Sequence, residues 1–241
     1  TGAPAGVALG GTTTVATAGT GASSFTNLSF TGLVGSYTLR FTSTGLSPLT
    51  SSTIVLQTGP AFTIAASAGD GQTATVNTAV ATDPSVLVTD QSGNPVSGVV
   101  VTFAIATGNG GIASGSGTTS PSGLATGGAW TLGQTAGSNS LTATAASLTG
   151  SPVTFTATGT PAPATQLSIT TQPSAAAANG AVLGQQPVLQ LRDGFNNDVS
   201  QAGVSITATA SAGAVLAGTA TLASNTSGQV SFTDLGLSGL V

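Results

Sequence analysis

Residues 4–34 and 211–241 are two copies of one segment. PAGVALGGTTTVATAGTGASSFTNLSFTGLV aligns without a gap with SAGAVLAGTATLASNTSGQVSFTDLGLSGLV, and 15 of 31 positions are identical. The spacing is 207 residues (241 − 34), so the chain is expected to start inside one repeating unit and stop inside the next copy of it. A weaker repeat lies within the first. DPSVLVTD at 83–90 matches QPVLQLRD at 186–193, 103 residues on, and GSYTL at 35–39 matches GSNSL at 137–141, 102 residues on. Two kinds of unit therefore alternate, each about half of 207 residues. The expected boundaries are an incomplete C-terminal part at 1–60, a complete unit at 61–164 and an incomplete N-terminal part at 165–241.

The secondary structure of the unit is written most plainly at 85–105, SVLVTDQSGNPVSGVVVTFAI, where two alternating apolar runs flank the turn cluster DQSGNP. One copy leaves the buried face open, and the second copy decides it. Leu87 corresponds to Gln190, whereas Val86 and Val88 correspond to Leu189 and Leu191, so the latter four are expected to point inward. Val101, Phe103 and Ile105 likewise match Val204, Ile206 and Ala208, against the polar-tolerant Thr102 and Ala104. Trp130 and Leu132 match Leu235 and Leu237 and are expected in the core, as is Leu141, which matches Leu39 on another alternating strand. Strands are predicted near 62–68, 84–90, 98–105, 111–115, 124–132, 138–146 and 152–158. Seven short strands in about 100 residues make the fold class all-β, as tandem immunoglobulin-like sandwiches. The alanine run at 175–178, bounded by Pro173 and Gly180, is too short to nucleate a helix and reads as a connection.

Charge is the unusual quantity. Only 3% of residues are charged, against roughly 25% in an ordinary soluble domain. Solubility then falls to Thr, Ser, Asn and Gln, which suit the outward face of strands. Cys, His, Lys, Met and Glu are absent, and the only cations are Arg40 and Arg192. That excludes disulfides, thiolate or imidazole metal sites, a phosphate-binding lysine and a Lys-Asn isopeptide crosslink. A net charge of −4 on six Asp has the wrong sign for nucleic acid. No apolar run reaches the ~18 residues of a membrane span, and Thr1 opens no signal peptide.

The joints between units, TGPA at 58–61 and TGTPAPAT at 158–165, are short and carry proline, which stiffens an extended chain. Neighbouring units of the same chain are thus expected to form a semi-rigid rod.

At this point the chain resembles a known family. DGQTATV at 70–76, TDQSGNPVSGVVVTFAI at 89–105 and GSPVTFTATG at 150–159 resemble bacterial immunoglobulin-like repeats of the invasin and intimin type. TQLSITTQPS at 165–174, QQPVLQLRDGFNNDV at 185–199 and GSYTLRFTSTGL at 35–46 are similar to repeats found beside them in very large bacterial surface proteins. The resemblance covers the whole chain and implies an extracellular or cell-surface setting. There such repeats act as stalks for a separate adhesive tip. The near absence of charge departs from many members.

Few residues suggest chemistry. Asp193, Asn196 and Asp198 supply oxygen donors of the kind calcium takes, yet a hairpin turn selects Asp, Asn and Gly for backbone reasons alone, and Pro95 stands where Asp198 does in the other unit. Asp90 reads as part of a strand connection. The glycine-rich stretch 107–112 is read as a loop, since no helix or lysine follows it. Trp130 and Tyr37 could stack on a sugar, but both fall at core or core-edge positions. The scattered Asp residues form no recognisable acid and base pair, so no enzyme, cofactor or metal is expected. NLS at 27–29 and NTS at 225–227 match the N-glycosylation pattern at non-equivalent places.

Two functions remain. One is a spacer in a large bacterial surface or adhesin-like protein. The other is self-association into a filament or surface lattice, favoured by strand edges that have almost no charge to keep them apart. Completion of 165–241 by residues 1–60 of a second molecule is a weaker variant, because 4–34 and 211–241 are the same strands twice.

Overall fold

The computed structural model describes residues 6–211 and 213–239. The outermost positions of the long repeat, at 4–5, 212 and 240–241, lie outside the described residues. Among the described residues there is no helix, so the alanines at 175–178 form an irregular connection, and no helix is long and apolar enough to cross a membrane.

Segment 61–164 folds as two facing sheets. One contains the strands Leu124–Thr126, Ser85–Asp90 and Ala61–Ala68, in that order. The other runs Ser116–Thr118, Val100–Thr107, Gly137–Thr144, Val153–Thr160 and Gln72–Thr75. The last pairing is parallel, Gly159 opposite Ala74, and all others are antiparallel. The first two strands of the segment, Ala61–Ala68 and Gln72–Thr75, thus lie in different sheets. The architecture is immunoglobulin-like.

Side-chain alternation explains why the two sheets close on each other. Along Val153–Thr160 the odd positions Val153, Phe155 and Ala157 are buried and every threonine is exposed, so the strand needs no charge to stay soluble. Between them the sheets enclose Ile64, Val86, Val88, Val101, Phe103, Trp130, Leu132, Leu141 and Phe155. Val88 is fully buried and Phe103 is 2% exposed. Ile105 is a partial exception. It is only half-buried, packed on the margin of this cluster, because a bulge between Ile105 and Thr107 turns the strand away from the core. On the outer faces, hydroxyls pair across strands: Thr63 with Thr89 at 2.6 Å and Thr107 with Ser140 at 2.8 Å.

Three expectations about strands are corrected. Gln72–Thr75 is a strand absent from the expected set; its alternation is short, Ala74 packing on the core and Val76 buried just beyond it, and it pairs only at a sheet margin. The region 111–115 is a strand only over Gly111–Ile112. The region 124–132 is two short strands, Leu124–Thr126 and Trp130–Thr131, broken at Gly127 and Gly128. A Cβ on Gly127 would lie 2.8 Å from the Phe103 ring, and Gly128 has φ +73°.

Segment 165–239 repeats the same pairings in the same register. Leu87 lies opposite Leu124, and Gln190 opposite Gln229; Thr102 lies opposite Ser116, and Thr207 opposite Thr221. The second hairpin strand thus corresponds at a spacing of 105, Val101 with Ile206 and Phe103 with Ala208, which corrects the match of Val101 with Val204 by two residues and leaves the inward face unchanged. A second, smaller core gathers Leu191, Val199, Ile206, Val230, Phe232 and Leu235. The long repeat is reproduced as well, with Leu9 opposite Phe30 and Leu216 opposite Leu237.

Two positions in this segment depart from the expected faces. Leu237, expected in the core beside Leu235, is 39% exposed, and Leu189 is only half-buried. In segment 61–164 the equivalent Val86 and Leu132 share one core with Leu141 and Phe155 of the strands Gly137–Thr144 and Val153–Thr160. Gln190, on the outward register, is nevertheless 3% exposed, because its Nε2 donates to the carbonyls of Leu191 and Ser227.

Candidate functional site: two matched joints

The candidate calcium turn serves another purpose. Asp193 is fully buried, and its Oδ1 accepts the backbone N–H groups of Phe195 and Asn197, each at 2.9 Å. Its Oδ2 accepts the Asn197 side-chain amide at 2.9 Å and the backbone N–H of Ala162, in the preceding proline-bounded linker, at 3.0 Å. Asn196 has φ +70° and takes the place of Gly93, φ +84°, which accounts for its presence by backbone conformation. Asp198 is exposed and ion-paired to Arg192 at 3.1 Å. The three oxygen donors therefore do not converge, and no group of three acidic, His or Cys residues lies together among the described residues.

The matching turn at 90–94 makes the same bonds. Asp90 Oδ1 accepts the N–H groups of Ser92 and Asn94, and Oδ2 accepts the Gly59 N–H, all at 2.9 Å. The Asn94 amide donates to both carboxylate oxygens, at 3.2 and 2.9 Å. Burial by itself pushes the Asp90 carboxyl up, but the hydrogen bonds from Asn94, Gly59 and Ser92 outweigh it and hold the group below its ordinary 3.8. At Asp193 burial is likewise overcome, by Asn197, Ala162 and Phe195.

The two asparagines finish the arrangement. Asn94 accepts the Val34 N–H at 2.9 Å through Oδ1 and donates through Nδ2 to the Gly32 carbonyl at 2.9 Å. Asn197 does the same, one segment later, with the Ala136 N–H and the Gln134 carbonyl, both at 2.8 Å. A side-chain amide carries an acceptor and a donor side by side, as an extended backbone does, so each asparagine docks on its three-residue loop like a one-residue strand.

Those loops are braced from behind. Tyr37 donates its hydroxyl to the Leu33 carbonyl at 2.8 Å, and its ring stacks on Phe30 with centroids 6.1 Å apart. Asn139 holds the equivalent position, 102 residues on, and is buried on the core face. It accepts the Gly133 N–H at 3.0 Å and donates to the Gly137 carbonyl at 3.1 Å. The glycine-rich stretch 107–112 supports this loop by direct backbone approach: a Cβ on Gly133 would sit 1.5 Å from the Gly108 carbonyl oxygen.

Other candidates are used structurally. Trp130 is fully buried and presents no face to a sugar. Asp70 accepts the Thr156 N–H at 2.7 Å, and this bond, with others from Thr156 and Gly71, lowers its pKa. Asp234 accepts the Thr219 N–H at 2.9 Å, while Asn27 takes the same role toward Thr12 in the other copy of the repeat. A cleft of about 330 Å³ beside the first joint is lined in part by Gly32, Gly59, Phe62 and Asp90, but the Asp90 carboxylate is already committed to the joint.

No family model matches the chain, and no curated protein matches it. Solved structures do. The chain is similar to the D0-D1 domain of intimin (18% identity, 72% of this chain and 85% of that one, TM-score 0.32). It is similar to the Escherichia coli adhesin FdeC (13%, 88% and 68%, TM-score 0.45) and to the adhesin InvE of Yersinia pseudotuberculosis (18%, 73% and 50%, TM-score 0.35). The immunoglobulin-like assignment rests on the chain's own sheet order.

Sequence reasoning stopped at Asp90 and Asp193 and missed Asn94, Asn197 and Asn139. The signal was present as a further identity in the 103-residue repeat, Asn94 with Asn197.

Proposed function

We propose that the chain is a structural spacer from a large extracellular bacterial surface protein, built from immunoglobulin-like units at 1–60, 61–164 and 165–241, the first and last being parts of units. The observation that carries this reading is the pair of matched joints. Each uses a buried Asp and an Asn to fasten one β-segment to its predecessor, and both Asp carboxylates are committed to that contact. Proline in both linkers supports the same reading, since it restricts swivelling about the joint. The bacterial surface setting is supported by the motif resemblance at 89–105 and 185–199.

A second reading, assembly into a filament or lattice, is favoured by apolar residues exposed on the strands of the complete unit 61–164, Val100 at 62%, Phe62 at 45% and Leu124 at 40%. Sedimentation and small-angle scattering of the full chain over a concentration series separate the two. The spacer reading expects an extended monomer throughout. Growth of ordered filaments or sheets with concentration overturns it in favour of assembly.

A further inference from the structure

The two joints hold a common feature in their acceptor halves. The groups gripped are the Gly32 carbonyl, the Val34 N–H and the Gly59 N–H in one, and the Gln134 carbonyl, the Ala136 N–H and the Ala162 N–H in the other. All six are backbone groups. The intervening side chains share nothing: Gly-Leu-Val in one loop, Gln-Thr-Ala in the other. Leu33, Val34, Gln134 and Thr135 are all exposed, so the loop side chains stand outside the contact. Each gripping turn, by contrast, spends two side chains on the joint, and these are Asp and Asn both times.

We infer that each Asp-x-x-x-Asn turn is an interaction surface for the end of another immunoglobulin-like unit, recognising a backbone carbonyl and N–H two residues apart regardless of the side chains there. The recognition is encoded in the following unit alone. Its partner need only present that loop in the braced conformation that Tyr37 or Asn139 maintains. Either kind of unit then follows either kind, and a unit can be duplicated or moved in the row without redesigning its neighbour. This goes beyond the spacer reading, since it stands equally for a stalk and for a lattice.

The test uses amide hydrogen exchange in the full chain, read at residues 136 and 34. Replacing one loop by the other, Q134G/T135L/A136V, is expected to leave exchange at residue 136 within about twofold of the parent. N197A is expected to speed it about tenfold, as loss of a hydrogen bond to the amide would. The reciprocal pair L33T/V34A and N94A, read at residue 34, gives an independent answer should N197A unfold its segment. Gly32 is kept, because a Cβ there would lie 2.1 Å from the Gly6 carbonyl oxygen. Exchange in the loop-swapped chains as fast as in the asparagine variants overturns the inference, since the side chains of the loop would then be what the turn reads.

Discussion

The side-chain amide of Asn197 lies between the Asp193 carboxylate, 2.9 Å away, and the Gln134 carbonyl, 2.8 Å away in the preceding segment. One residue thus couples the internal order of a turn to the attachment of the whole segment. Asp193 fixes the turn and orients the amide, and the amide does the docking. Asn94 stands in the same relation to Asp90 and Gly32.

Because Asp193 is fully buried and accepts four hydrogen bonds, Asp193→Ala removes their common acceptor and leaves donors without partners in a dry site. The expected loss of stability is about 1–3 kcal/mol or more. Asp198→Ala in the same turn removes only an exposed ion pair with Arg192, for which less than about 1 kcal/mol is expected. Denaturant titration of the two variants against the parent checks the order, and an Asp198 effect as large as that of Asp193 would contradict it.

The same geometry bears on calcium. Both Asp193 oxygens are occupied and Asp198 is turned toward Arg192, so melting curves in calcium and in chelator are expected to superpose. A rise in melting temperature with calcium would mean that the turn reorganises around an ion.

How much of this was legible follows from what kind of information each feature needs. Comparing Val86 and Val88 with Leu189 and Leu191 set the buried face, because side-chain alternation is local and two copies cancel the ambiguity of one. The strand at Gln72–Thr75 was hidden because its apolar face is a single alanine, Ala74, followed by Val76, and its one strand partner is the distant parallel strand Val153–Thr160. Ile105 departs from its pattern through a bulge, and Leu237 lies at the margin of a smaller core than the one that covers Leu132, neither of which periodicity records. The joints were half legible. Asp and Asn in a turn are selected by turn geometry anyway, so residue type alone did not distinguish a turn that closes a hairpin from one that also grips its neighbour.

Backbone contact also predicts intolerance at Gly133. A Cβ there meets the Gly108 carbonyl oxygen at 1.5 Å, so Gly133→Ala must push the 107–112 loop away from the loop that Asn197 grips. An overpacking cost of about 1–3 kcal/mol is expected. Gly184→Ala, where a Cβ meets nothing within 4 Å, serves as the control and is expected to change stability by less than about 0.5 kcal/mol. Thermal melts of the two variants give the comparison.

Acid is the condition that acts on both joints together. Asp90 and Asp193 have folded pKa values below the ordinary 3.8, despite the burial that opposes this, because the hydrogen bonds of the joint favour the carboxylate. A group with a depressed folded pKa contributes stability above its unfolded pKa and loses it as pH falls through the folded value. Stability is therefore expected to be level from neutral pH down to about pH 4 to 5 and to fall below the ordinary 3.8, where protonation takes an acceptor from Asn94 and Asn197. Asp70 is lowered in the same direction, chiefly by the Thr156 N–H, and adds to the slope without touching a joint. In the double variant Asp90→Asn/Asp193→Asn the overall stability should be lower and its acid dependence shallower. Amide exchange at residues 34 and 136 in the parent should accelerate across the same pH window once corrected for intrinsic rates. An acid slope that is the same in the parent and the double variant would show that the joints do not carry it.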